Sequence, residues 1–282
     1  MNEKIVHWID RKFRKIDISH LGRTKNIRLI PDLKNRRGGK LAYGEWAHVI
    51  GIFQTIIYQT IDKKTGNDIL DAGCGTGLLG IASEPFVTDA GTYTGIDVMT
   101  EDIRFCKEHY PFSNYHFIHL DVANPTYASM QASELKPWPI ESKSQDLVTA
   151  LSVWTHLSER DAQFYMKEVS RVLKPNGKAI ITFFCLDEDY ERSLPGRSND
   201  KGRFHNTPQN EWIFDVNAYG SENWFATKWA VQPEDAIGVT RPGIDSILND
   251  AGLKIDKYYP GNWKEKPGVF FQDIFVLEKA NS

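Results

Sequence analysis

The sequence predicts an α/β fold: a doubly wound, mostly parallel seven-stranded sheet, with a helical cap before it and an insertion after its fifth strand. Two patterns carry that prediction. From Asn67 onward, short apolar runs alternate with stretches of helical period, the order that builds a parallel sheet with helices on its faces. The first of those runs, Asp68-Ile69-Leu70-Asp71, ends in a carboxylate and breaks into Ala72-Gly73-Cys74-Gly75-Thr76-Gly77. Alternate glycines there free the backbone for dihedrals that a Cβ forbids and let it approach a ligand closely.

The elements follow in chain order. Residues 1–66 read as a basic helical cap and residues 67–282 as the sheet domain. Residues 1–40 hold twelve Lys or Arg against four Asp or Glu, a balance of +8, which leaves −11 for the rest of a chain whose total is −3. Within that basic end, Ile5, Trp8, Ile9, Phe13 and Ile16 fall on one helical face, ringed by Arg11, Lys12, Arg14 and Lys15. Such a helix commonly packs its apolar face on the body and leaves its charges in water. It alternatively lies on an anionic membrane surface, here through residues 1–20, or holds an anionic substrate. Arg36 to Trp46 then leads into an apolar helix through Ile61.

The first strand feeds the glycine turn and a helix from about Leu78, whose unpaired N–H groups and positive dipole end face whatever sits over the turn. Thr92 to Asp97 supplies the second strand and His116 to Asp121 the third, each ending in an acid. Gln145 to Leu151 is the fourth, an apolar run of the kind buried on both faces. Tyr165 to Leu173 has helical period and stops at Lys174-Pro175-Asn176-Gly177, before a fifth strand at Lys178 to Phe184. Residues 187–240, carrying Trp212, Trp224 and Trp229, form an insertion where a substrate lid belongs, before a helix near Pro242.

The carboxylates discriminate between ligands. Gly75-Thr76-Gly77-Leu78-Leu79-Gly80 satisfies the dinucleotide fingerprint, but a pyrophosphate would be repelled by Asp71. S-adenosylmethionine carries an ammonium and a sulfonium and no phosphate, so a carboxylate at the strand tip suits it better. Asp97, 26 positions after Asp71, is placed to accept both ribose hydroxyls. Asp121 suits an adenine amino group.

On Asp71 to Gly77, Gly95-Ile96-Asp97, Asp121 and Arg171-Val172-Leu173-Lys174-Pro175-Asn176-Gly177, the chain resembles the class I S-adenosylmethionine-dependent methyltransferases from roughly Asn67 to Lys279. That resemblance implies a Rossmann-like fold and S-adenosyl-L-methionine as cofactor. It puts Asp71, Gly73, Cys74, Gly75 and Gly77 around the methionine part, Asp97 and Val98 at the ribose, and Asp121 and Val122 at the adenine. Arg28-Leu29-Ile30-Pro31, Gly38-Gly39, Ser152 to Leu157 and Phe271 to Val276 further resemble bacterial methyltransferases of polysaccharide, glycolipid or secondary-metabolite pathways. This second resemblance implies O-methylation of a carbohydrate or glycolipid hydroxyl. Small-molecule N-methylation is the alternative, and an NAD-dependent oxidoreductase or a non-catalytic cofactor-binding protein are the remaining ones.

Methyl transfer to a hydroxyl needs alignment of acceptor and donor, and a base within hydrogen-bond reach. His156 follows the fourth strand, and Asp187 and Glu188 follow the fifth. A neutral imidazole is a suitable base near neutrality, although a histidine at such a turn also serves as a helix cap. The two acids equally well start a loop. Tyr43, Trp46 and Trp154 read as walls of the acceptor site or as ordinary core. The three cysteines, Cys74, Cys106 and Cys185, are far apart and lack metal-ligand spacing, so no metal is expected and the thiols read as reduced. There is no long apolar span, and Met1-Asn2-Glu3-Lys4 lacks a signal-peptide hydrophobic region. The expectation is a cytoplasmic enzyme, with the membrane's inner face as an alternative site. The acidic bulk argues against nucleic acid as a partner.

Overall fold

The computed structural model describes residues 3–18, 25–38, 40–122 and 135–280. Residues 1–2, 19–20 and Gly39, named above, lie outside the described residues. The chain divides into two compact units, Met1–His119 and Leu120–Ser282.

The first unit contains α1 (Glu3–Ile18), α2 (Tyr43–Thr60), β1 (Asp68–Ala72), α3 (Leu78–Val87), β2 (Thr92–Asp97), α4 (Thr100–His109) and β3 (Tyr115–His119). β2 lies parallel between β1 and β3, with Asp71 opposite Gly95 and Gly95 opposite Phe117. Both β1 and β2 are buried almost throughout, as strands inside a parallel sheet covered on both faces are. Ile50, Phe53 and Ile57 of α2 are buried, and α2 lies against α3. The third strand ends at His119, so Asp121 stands beyond it rather than at its tip.

The N-terminal segment is threaded over this unit by polar contacts. Asn26 Nδ2 donates to the Ile81 carbonyl at 2.5 Å, and the His109 ring donates to the Leu29 carbonyl at 2.6 Å. Thr76 Oγ1, inside the glycine turn, donates to the Asn35 carbonyl at 2.6 Å. α1 departs from the packing expected of it. Ile5, Trp8 and Ile9 are 51%, 57% and 49% exposed, so the described part of its apolar face is turned to solvent. Asp10 of this helix is buried and ion-paired with buried Arg36. The side chains of Phe13 and Ile16 lie outside the described residues.

The second unit contains β4 (Gln145–Ala150), α5 (Glu159–Val172), β5 (Leu173–Leu186), α6 (Glu188–Ser193), β6 (Phe214–Asn217), β7 (Trp224–Thr227), β8 (Ile237–Thr240), α7 (Arg241–Asp250), β9 (Leu253–Tyr259) and β10 (Asp273–Lys279). β5 runs parallel to β4 and antiparallel to β10, which in turn pairs with β9. Its last residues, Phe184–Leu186, pair in parallel with β8, and β7 and β6 follow antiparallel.

The described residues therefore carry ten strands, three more than the seven expected. All three, β6 to β8, come from the insertion after β5. The insertion extends the sheet because its Tyr190 and Phe214 are buried together with Phe184 and Trp263 from outside it, with Trp212 and Phe271 packed on them. Trp224 is fully buried, and Trp229 is about half exposed with its indole N–H on the Glu211 carbonyl at 2.6 Å. No helix of the described residues is long and apolar enough to cross a membrane.

Candidate active site

In the first unit, the turn between β1 and α3 brings two carboxylates to a cradle of glycines. Gly73, Gly75 and Gly77 all have positive φ, at 69°, 50° and 90°, the left-handed region that other residues enter only with strain. A Cβ on Gly77 would lie 2.4 Å from the Tyr110 hydroxyl, whereas one on Gly75 would meet only Arg37 Cγ, at 4.0 Å. Packing thus requires the third glycine, and the second leaves open room above the backbone.

Asp97, at the tip of β2, is buried and accepts from Gly75 N at 2.7 Å and Met99 N at 2.8 Å. Burial pushes its carboxyl up from the ordinary range, and the backbone N–H groups of Met99 and Gly75 offset part of that shift. Asp71 is buried at the tip of β1 and accepts from the Tyr93 hydroxyl at 2.6 Å. Cys74 lies buried beside Cys106; that contact, then burial, push its thiol well up, so it acts as a small neutral filler. Val98 follows Asp97 and is half-buried.

Arg37, which no motif in the sequence marks, stands at the rim of this turn. Its guanidinium makes a two-pronged contact with buried Asp102, at 2.6 Å and 3.0 Å, while the side chain stays 45% exposed. The hydrogen bond to Asp102 raises its pKa, with burial opposing and Asp97 adding to the rise. The unit's own residues fit S-adenosylmethionine on this evidence: two buried carboxylates, a backbone that admits close approach, and one rim cation already paired.

In the second unit, polar side chains gather beyond β4. Ser152 sits at φ 60°, an uncommon conformation for a residue with a Cβ. Its N–H donates to Thr182 Oγ1 at 2.7 Å, and its hydroxyl accepts from Gln272 Nε2 at 2.8 Å. His156 Nδ1 is 2.7 Å from the Glu234 carbonyl, and Nε2 is 3.5 Å from the Ser152 hydroxyl. A carbonyl only accepts, so Nδ1 carries the proton and Nε2 keeps its lone pair. Burial lowers the His156 pKa below its ordinary 6.5, and the Glu234 carbonyl and Asp235 only partly oppose this. Glu234 is itself buried and accepts the Tyr219 hydroxyl at 2.7 Å and 2.8 Å. Neither Glu234 nor Tyr219 stood out in the sequence, because each lies in the insertion with no motif around it.

The other expected residues are placed differently. Asp187 caps α6 by accepting from Tyr190 N at 3.1 Å, and it also binds Lys264 and the Tyr258 hydroxyl. Glu188 is 86% exposed and pairs with Arg192 one turn on. Trp154 is fully buried with its indole N–H on the Ala162 carbonyl, so it is core and not a pocket wall. Tyr43 and Trp46 are likewise buried in the first unit. Tyr43 donates to the Ile27 carbonyl at 3.1 Å, while the Trp46 indole N–H has no partner among the described residues. Asp121 is 73% exposed and pairs with Lys136 at 3.2 Å, and Val122 beside it is buried. No three His, Cys, Asp or Glu among the described residues are grouped to hold a metal.

The methyltransferase domain family matches residues 70–181, the stretch from β1 to the middle of β5. A ubiquinone biosynthesis O-methyltransferase from Pelagibacter ubique is 31% identical over 72% of this chain and 71% of its own. The chain belongs to the class I S-adenosylmethionine-dependent methyltransferases. A protein of the same name from Idiomarina loihiensis is 29% identical over 48% of this chain, and the match spans about half, 49%, of that relative's length. Among solved structures, a methyltransferase from Methanosarcina mazei shares the fold at 20% identity and a TM-score of 0.51, covering 80% of this chain and 98% of its own. One from Mesorhizobium loti does so at 15% identity and a TM-score of 0.52, covering 80% of this chain and 96% of its own. The family's methyl donor is S-adenosylmethionine, the ligand the two carboxylates favoured.

Proposed function

We propose that the chain methylates a hydroxyl of a small-molecule acceptor, with His156 as the general base. The observation that carries this reading is the tautomer of His156: a neutral imidazole whose Nδ1–H is held by a carbonyl and whose Nε2 lone pair is directed at a hydroxyl, that of Ser152. A nitrogen acceptor with its own lone pair has no need of such a group. When bound, S-adenosylmethionine supplies an electrophilic methyl on a positively charged sulfur. Asp71 then faces the cationic methionine part, and Asp97 accepts the ribose hydroxyls. Gly73, Gly75 and Gly77 admit the ligand close to the backbone, and Asp121 and Val122 flank the adenine. His156 Nε2 takes the proton that the acceptor oxygen loses as it is methylated.

The relatives' name supports oxygen as the methylated atom and makes acceptors of ubiquinone biosynthesis the first class to test. A carbohydrate or glycolipid hydroxyl is the second. Residues 1–66 act as a cap, which agrees with Thr76 of the turn bonding to Asn35. Residues 187–240 shape the acceptor side, which agrees with Glu234 of that insertion holding His156. Asp187 and Glu188 receive no part in the proton transfer, because the first is committed to Lys264 and the second to solvent.

Calorimetric titration with S-adenosylhomocysteine, with NADH as control, tests the donor, and turnover of an acceptor of ubiquinone biosynthesis against a sugar tests the acceptor. Binding of NADH alone would return the chain to the dehydrogenases. Asp97→Ala is expected to weaken S-adenosylhomocysteine binding by about 1.5–3 kcal/mol, the range for hydrogen bonds to a charged group. Unchanged affinity would place the ribose elsewhere. Because burial raises the Asp97 carboxyl above its ordinary 3.8, affinity is expected to fall on acidification at a pH above that value.

A further inference from the structure

Three residues of the apolar face of α1, Ile5, Trp8 and Ile9, are exposed, and the composition around them points to a partner. Ile5, Trp8, Ile9 and Lys12 stand at positions i, i+3, i+4 and i+7 of a helical stripe, and all four are exposed. Lys4, Arg11 and Lys15, also exposed, flank that stripe. The three acids of the helix recur at every seventh position, Glu3, Asp10 and Asp17, a spacing that returns to one side of a helix after two turns. Asp10 is turned inward onto Arg36. Arg36 in turn donates to the Pro31 and Leu41 carbonyls at 2.9 Å and 2.6 Å, which ties the helix to the cap segment through Asp10.

We propose that this face of α1 lies on an anionic lipid surface. An indole and two isoleucines set among lysines and an arginine match the boundary between acyl chains and negative headgroups. A soluble anion would use the charges without needing exposed Trp8 and Ile5. A second copy of this basic face would be repelled by the first. The inference is independent of the methyl-transfer reading, since none of these residues is assigned to the cofactor or to the acceptor.

The test is co-sedimentation of the full chain with vesicles of phosphatidylcholine alone and of phosphatidylcholine with phosphatidylglycerol. The wild-type protein is expected to partition onto the anionic vesicles and to be released by salt. Lys4→Gln, Lys12→Gln and Lys15→Gln together are expected to lower that partition about a hundredfold, and Trp8→Ser about tenfold. Both variants are expected to keep S-adenosylhomocysteine affinity, which shows that they fold. Deleting the helix is a poorer probe, because it strips Arg36 of its buried partner. Wild-type protein that stays off anionic vesicles, or variants that bind as well as wild type, overturn the proposal. So does a concentration-dependent dimer in sedimentation velocity that Trp8→Ser dissolves, which would assign the face to a second copy.

Discussion

His156→Ala is expected to lower kcat for an oxygen acceptor by about two to four powers of ten, the range for loss of a positioned general base. Affinity for S-adenosylhomocysteine should stay unchanged, since His156 is assigned to the acceptor and not to the cofactor. The pH profile carries a second signature. Burial lowers the imidazole pKa below 6.5, so the base is fully available at neutrality and the rate falls only when pH drops through that lowered value. The Ala variant should lose this acidic limb along with the rate. Stability follows the same group. The unfolded chain takes up a proton on this histidine near 6.5 and the folded chain only below it, so folding is weakened as pH falls from 6.5 through the folded value. A variant that keeps its kcat and its acidic limb would mean that the acceptor needs no base, as an amine would not.

Much of this was legible before the fold. The run Asp68 to Leu78 fixed the first strand, the turn and the next helix, because a buried strand, three glycines and a helix start each leave a strong local signal. The carboxylates at Asp71 and Asp97 were readable for the same reason: each closes an apolar run, and a strand-end position presents one side of a parallel sheet to ligand. Asp121 was placed less well, since β3 stops at His119. The aromatic residues misled. Trp154 lies two residues before His156 in a segment that looks like a site, yet its indole is satisfied inside the core. The insertion was opaque because its period is irregular and its core is assembled with Phe184, Trp263 and Phe271, residues far apart in sequence. For that reason Glu234 and Tyr219 could be found only once the chain had folded back on β4. Arg37 was hidden in a different way, by lying in a charged run where any one arginine looks like its neighbours.

Lys264→Ala is expected to destabilise the protein by about 3–5 kcal/mol in urea unfolding, the range for removing one partner of a buried ion pair. The Lys264 ammonium is fully buried, 2.7 Å from Asp187 and 2.8 Å from Asp273. Burial works to lower its pKa, but Asp273 and Asp187 together hold it above the ordinary value, and the lysine stays charged. Asp273 also accepts from Cys185 N, Gly261 N and the Trp263 indole. Its carboxylate therefore joins the end of β5 to the turn between β9 and β10, and Lys264 neutralises it. The same arrangement explains why Asp187 is a poor base. Burial would raise its carboxyl, but Lys264 and the donors of Tyr190 and Tyr258 pull it below 3.8. A carboxylate held that low keeps its charge and has little affinity for a proton at neutrality. Its stabilising contribution is present above 3.8 and is lost as pH falls through the lowered value. Asp187→Asn is accordingly expected to lower stability while leaving kcat nearly intact. A folded Asn variant with kcat reduced a hundredfold would instead make Asp187 part of the chemistry, with Lys264 there to tune it.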